Sequence, residues 1–109
     1  AQFNEATMDS ANLVAADLNG SNFTRANLAH ANLQEANLRG ATLSGADLTD
    51  ARLDAADLYR ATLHGANLAS VSGLTQAQLD TACIDEQTKL PAELNRPSPC
   101  VAANKKRDR

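Results

Sequence analysis

An apolar residue stands at every fifth position from Phe3 to Leu68, and no regular helix or flat strand can bury such a row. The fourteen centres are Phe3, Met8, Leu13, Leu18, Phe23, Leu28, Leu33, Leu38, Leu43, Leu48, Leu53, Leu58, Leu63 and Leu68. Two residues before each stands Ala, or Ser21 in one unit. The position between is Asn or Asp in nine units and Gln2, Thr7, Thr42, Arg52 or Thr62 in the others. The unit therefore reads Ala-(Asn/Asp)-Leu-x-x. On a helix of 3.6 residues per turn, successive centres would advance by roughly 140° and soon point all round the axis. On a flat strand the odd spacing would send them to alternate faces.

A turn at each unit removes the conflict. Residues two apart on an extended segment face the same way, so each Ala-x-Leu points both apolar residues inward and the two variable residues make a corner. Four sides close a square coil of 20 residues, and equivalent residues of successive coils stack about 4.8 Å apart, as adjacent strands do. The expected inward columns are Phe3-Phe23-Leu43-Leu63, Met8-Leu28-Leu48-Leu68, Leu13-Leu33-Leu53 and Leu18-Leu38-Leu58. Gly20, Gly40, Gly45 and Gly65 all fall at the second corner position, where a positive φ is needed. The pairs Gly20/Gly40 and Gly45/Gly65 share corners in this register, which supports the four-unit coil.

From Ala1 to Leu68 the chain resembles the pentapeptide-repeat family, matching the motif in all fourteen units without interruption. The resemblance implies an all-β fold: a right-handed, four-sided parallel β-helix, here of about 3.5 coils. Handedness comes from the resemblance and not from the spacing.

The pattern breaks at Gly73, where an apolar centre is due. Thr75 followed by Gln78 is a capping-box pattern, with Leu74 and Leu79 placed to form the accompanying staple. A short helix is expected over 76–83, with Leu79, Ala82 and Cys83 on its apolar face, lying across the open end of the stack. A bare terminal coil would expose core and unpaired strand edges, so a cap is physically expected. The Leu-Thr-Gln-Ala-Gln-Leu segment also resembles sequences downstream of the repeats in that family. The expected organisation is a β-helix over 1–73, a cap helix with an irregular segment over 74–100, and a disordered basic tail over 101–109.

Net charge is −3. Residues 1–73 hold eight acids and four bases, and Lys105, Lys106, Arg107 and Arg109 lie at the end. No apolar run approaches the ~20 residues of a membrane helix, so no membrane contact is expected. Cys83 and Cys100 are the only cysteines. An even count and a poorly anchored, Pro-containing tail favour a disulfide between them. With a chain that begins Ala1-Gln2, this points towards an oxidising compartment, the periplasm or the thylakoid lumen, with the cytoplasm as the alternative.

No catalytic apparatus is legible. His30 and His64 fall on different corners, and no set of three or four convergent ligands forms a metal site. The serines have no nucleophile-elbow context, and no Gly-rich phosphate loop opens a helix. No catalytic, cofactor or metal residue is therefore assigned, and no cofactor. The acidic rod lacks a stacking platform for nucleic acid. The outward columns remain: Glu5 beside Arg25, His30 over Asp50, Arg39 against Tyr59, and Asp17, Asn37 and Asp57 along one side. The expected function is a non-enzymatic structural or protein-interaction module with an unidentified protein partner, and Asp17, Arg39, Asp57 and Tyr59 form its candidate face. Its expected state is a monomer or an end-to-end dimer through the N-terminal coil. The resemblance supplies an alternative, a DNA-mimicking gyrase-binding protein of the quinolone-resistance type. Duplex DNA carries a charge every ~1.7 Å, and a short rod with interleaved arginines matches that poorly.

Overall fold

The structure is a computed structural model, and it describes residues 2–95. Its backbone closes into stacked square coils joined by parallel bridges at a register of 20 residues. Side one stacks Gln2, Asn22, Thr42 and Thr62, and side two stacks Thr7, Asn27, Asp47 and Asn67. Side three stacks Asn12, Asn32, Arg52 and Ser72, and side four stacks Asp17, Asn37 and Asp57. Each bridged residue is the polar middle of its unit, so its side chain points outward while Ala and Leu point in. From Leu18 to Leu68 every centre is buried, as is the Ala layer from Ala26 to Ala66. Phe3, Met8 and Leu13 of the first coil are only partly buried, because no described coil precedes them. Phe3 packs face to face on Phe23, with ring centroids 4.9 Å apart.

The corner chemistry explains the motif. The residue after each pair of corner positions donates its N–H to the preceding centre, as from Ala26 to Phe23 O at 2.9 Å. The second corner residue takes a positive φ: nine non-glycine residues do so, among them Glu5, Ala15, Arg25 and Ala55, besides Gly20, Gly40, Gly45 and Gly65. A bonded four-residue turn with positive φ at its third position is the type II arrangement. The Asn or Asp before each centre then secures the corner. In all nine such units its Oδ1 accepts the N–H two residues on, for example Asn32 from Gln34 at 3.1 Å and Asn27 from Ala29 at 3.0 Å. This Asx turn is the physical reason for the residue type. One oxygen of every Asx side chain is thus engaged within its own coil rather than left for recognition.

The cap differs from expectation in length and in place. Helix α1 spans Gln76–Asp80 and does not reach Cys83. Its capping box is formed: Thr75 Oγ1 accepts from Gln78 N, and Gln78 Oε1 accepts from Thr75 N at 2.7 Å. Leu74 and Leu79 are both buried. α1 takes the place of the next segment of side four, since a residue 20 beyond Asp57 is Ala77. Gln78 Nε2 substitutes there for a ladder donor, bonding Leu53 O at 2.9 Å and Ala56 O at 2.8 Å.

After α1 the chain resumes the coil, where irregular structure was expected. Cys83 bridges Thr62 on side one, and Lys89 bridges Asn67 on side two. Leu63 N donates to Cys83 O at 2.7 Å and Leu68 N to Lys89 O at 2.8 Å. Ala82, Ile84 and Thr88 are buried beneath this partial coil, and Thr88 Oγ1 donates to Leu63 O at 2.8 Å. The open end is therefore covered by two more sides together with α1. A reciprocal pair, Gln76 Nε2 to Asn95 O and Asn95 N to Gln76 Oε1, both 2.8 Å, ties the following segment to α1. Cys83 is disulfide-bonded. Cys100, Pro97, Pro99 and the basic tail expected over 101–109 lie outside the described residues.

Candidate interaction face

Side four and the corner after it bring four outward residues together. Asp17, Asn37 and Asp57 stack in register, with Asn37 Nδ2 3.5 Å from Asp17 Oδ1. Arg39 follows Asn37 at the corner and reaches across the coils, placing one guanidinium nitrogen 3.0 Å from Asp57 Oδ2. The same guanidinium lies over the Tyr59 ring, 4.6 Å from its centroid, within cation–π range. Asp57, Arg39 and Tyr59 thus form one network, and Asp17 borders it through Asn37.

Arg60 belongs to this corner and was not singled out in the sequence. Its guanidinium carbon lies 5.8 Å from the Tyr59 centroid. Tyr59, 43% exposed, is therefore flanked by two arginines. The signal was present: Tyr59 is the one outward aromatic of the repeats, and its immediate neighbour is basic.

The other outward pairs stand where the register puts them and stay isolated. Arg25 meets Glu5 at 2.9 Å, and His30 Nε2 meets Asp50 Oδ2 at 3.2 Å; all four side chains are more than half exposed. His64 stands on another corner. Among the described residues no three His, Cys, Asp or Glu side chains converge as a metal cluster would require. No helix among them is long and apolar enough to cross a membrane.

Electrostatics at the corners favour the charged carboxylates. The Thr49 hydroxyl, then the Thr49 N–H, hold Asp47 below the usual carboxylate range, and partial burial opposes them. The Tyr59 N–H lowers Asp57, with a further contribution from Arg39 against an opposing desolvation. At Asp85 desolvation is the largest single influence and pushes upward. The Gly65 N–H, Thr88 hydroxyl and Gln87 N–H together outweigh it, so this carboxyl is lowered too. A carboxyl whose folded pKa is depressed stabilises the fold above its unfolded value, about 3.9, and loses that contribution as pH falls through the folded pKa. Stability is therefore expected to fall below about pH 4. Asn at positions 47, 57 and 85 keeps the acceptor oxygen but cannot titrate. Urea midpoints of the triple Asn variant between pH 2 and 6 should show a flatter acid limb than the parent.

Comparison with known proteins agrees with this architecture. The family model for pentapeptide repeats matches eight copies over residues 1–40 and 36–72. The chain belongs to the pentapeptide-repeat family, and its fold is that family's right-handed β-helix. A solved pentapeptide repeat protein of Nostoc PCC 7120, alr5209, is 42% identical, with a TM-score of 0.79 over 86% of this chain and 77% of its own. A pentapeptide repeat protein of the Arabidopsis thaliana thylakoid lumen is 28% identical, with a TM-score of 0.61 over 86% of this chain and 57% of its own. HetL of Nostoc sp. PCC 7120, involved in heterocyst differentiation regulation, is 25% identical, with a TM-score of 0.67 over 91% of this chain and 61% of its own. No curated protein matches the chain in sequence.

Proposed function

We propose that this protein is a non-enzymatic interaction module whose side-four corner, built from Asp17, Arg39, Asp57, Tyr59 and Arg60, is presented to a protein partner. The observation that carries the reading is the Arg39–Tyr59–Arg60 cluster. It is an exposed aromatic with two arginines on a rigid coil, and tyrosine and arginine are the residue types that concentrate binding energy at interfaces. The apolar repeat positions face inward and the Asx positions brace the corners, so corner residues such as Arg39, Tyr59 and Arg60 can vary without cost to the core. A regulatory role by binding agrees with HetL, whose involvement is in the regulation of differentiation.

Affinity capture from a lysate of the source organism tests this, with Arg39, Tyr59 and Arg60 changed together to Ser in the control. A stoichiometric partner lost in the control supports the module. Equal recovery by both proteins removes this face from the function. Duplex mimicry fits less well, because Arg25 and Arg39 neutralise Glu5 and Asp57 and break the acidic surface. A gyrase supercoiling assay with excess protein should be unaffected. Beside the monomer, the first coil with its part-buried Phe3, Met8 and Leu13 offers end-to-end association, which light scattering across a concentration series decides.

We further propose that Cys83 pairs with Cys100 in an oxidising compartment, the periplasm or a thylakoid lumen. The bonded state of Cys83 and the luminal Arabidopsis neighbour support this reading. Sixteen residues separate the cysteines, and a loop of that size is worth about 3 kcal/mol in the chain-entropy model. Reduction should lower the unfolding free energy by about that amount and release two thiols per chain; any thiol titrated in the folded or denatured chain before reduction would refute the pairing.

A further inference from the structure

The two ends of the rod differ. At the C-terminal end no closed edge remains. There α1 replaces side four, Cys83 and Lys89 carry sides one and two beyond the level of Ser72 on side three, and Leu90 and Leu94 pack against the core. The N-terminal end keeps all four sides. Within the ladder the polar middle residue turns both its backbone groups toward the coil before it. Asn27 N, for example, donates to Ala6 O at 2.9 Å, and Asn27 O accepts from Met8 N at 2.8 Å. In the first coil, residues 2–20, the same groups of Thr7, Asn12 and Asp17 have no bonded partner among the described residues, and neither does Gln2 O. Phe3, Met8 and Leu13 lie part-buried inside this ring.

A residue that presents its N–H and C=O on one edge is the hydrogen-bonded partner of a like residue on an antiparallel strand. Two coils meeting end to end about a two-fold axis circulate in opposite senses, so every facing side is antiparallel. The spiral fixes the axis. Each coil climbs about 4.8 Å from side one to side four, which leaves a step at the corner beside Gln2. Two such ramps stay evenly spaced only when the steps meet. The axis then runs through the corner between sides four and one and through the corner between sides two and three. Side one faces side four of the second copy, and side two faces side three. Gln2 pairs with Asp17 and Thr7 with Asn12, each pair formed twice, while Phe3 meets Leu18 and Met8 meets Leu13. Gln2 Oε1 accepts from Asn22 Nδ2 at 3.3 Å, so its own NH2 is left to donate to the facing Asp17 carboxylate.

We infer that the N-terminal edge docks a second copy of this chain, head to head about that axis. The inference rests on the end-to-end association offered above and names the residues that pair. A foreign strand would cover one side and leave three bare. A closed four-sided edge of matching pitch belongs to another such coil, and head-to-tail stacking finds none at the C-terminal end. The association is therefore isologous and stops at two copies. Residues 2–20 also approach the ~20–30 residues a side of a standard interface. One contact opposes it: Asp9, exposed at the corner on the axis, faces Asp9 of the second copy.

The test uses the 109-residue chain. Sedimentation equilibrium should show monomer passing to dimer, and to nothing larger, as the concentration rises to millimolar. Chains with Gln2→Cys mixed with chains with Asp17→Cys should form a linked dimer in a glutathione buffer, because such paired residues have Cα atoms about 5.5 Å apart, within disulfide reach. Gln2→Cys mixed with Thr7→Cys should not. Thr7→Pro removes a donor that makes no bond within the chain, and it should weaken the dimer by more than about tenfold with the circular dichroism unchanged. Asp9→Asn should tighten it about threefold at low salt and hardly at about 1 M salt. A dimer that links position 2 to position 7 in place of 17 overturns this arrangement and keeps end-to-end association. A chain that stays monomeric at millimolar concentration, or a dimer indifferent to Thr7→Pro, overturns both.

Discussion

Leu48→Ala is expected to destabilise the protein by about 2–5 kcal/mol, the range for a fully buried leucine whose cavity cannot collapse. Leu48 is 1% exposed and stands in the column between Leu28 and Leu68, both fully buried. The coils above and below are held by ladder bonds on sides one, two and three, so the walls cannot close on the void. Leu13 occupies the same position of the same motif but lies in the open first coil, where it is only partly buried. Leu13→Ala should cost about 1 kcal/mol, in proportion to the apolar area it removes from contact. Urea unfolding followed by circular dichroism compares the two. Equal losses would mean that the first coil is as well covered as the third.

Gly73→Ala should have a comparable effect for a different reason. A Cβ at this position would lie 2.4 Å from Asp54 Cγ and Oδ1 and 2.7 Å from the Asp54 backbone nitrogen, and the φ of Gly73 is +80°. The backbone neighbour cannot rotate away, so the loop that leads into α1 must shift. Left-handed strain of roughly 1–2 kcal/mol and overpacking of roughly 1–3 kcal/mol together put the loss at about 3 kcal/mol. Gly20→Ala is the control. Its φ is +69° with nothing within 4 Å, and Ala15 and Ala55 already occupy equivalent corners at φ near +60°. That change should cost about 1 kcal/mol, the left-handed penalty alone. A Gly73→Ala loss no larger than the control would show that the loop yields freely. The cap would then be loosely held.

Much of the fold is legible because one inward pair per side repeats without error from Phe3 to Leu68. The neighbours Glu5/Arg25, His30/Asp50 and Arg39/Tyr59 follow from a register of 20 alone. What the period hides is the final partial coil. Thr62 to Cys83 spans 21 residues and Asn67 to Lys89 spans 22, so a search at strict spacing passes over both bridges. The small-x-apolar signature nevertheless survives in Ala82-Cys83-Ile84 and Thr88-Lys89-Leu90. The capping box at Thr75 and Gln78 marks the start of α1. Its end at Asp80 is set by the return to the ladder, a tertiary constraint that local pattern does not carry.

Site-specific photo-cross-linking in living cells tests the interaction claim most directly, with a photoreactive residue at position 59 or at position 42. Tyr59 lies on the candidate face, and Thr42 lies on side one at a comparable height in the stack. The account predicts one discrete adduct from position 59 and none from position 42. Adducts from position 42 alone, or none from position 59 while the partner is still recovered, would contradict it.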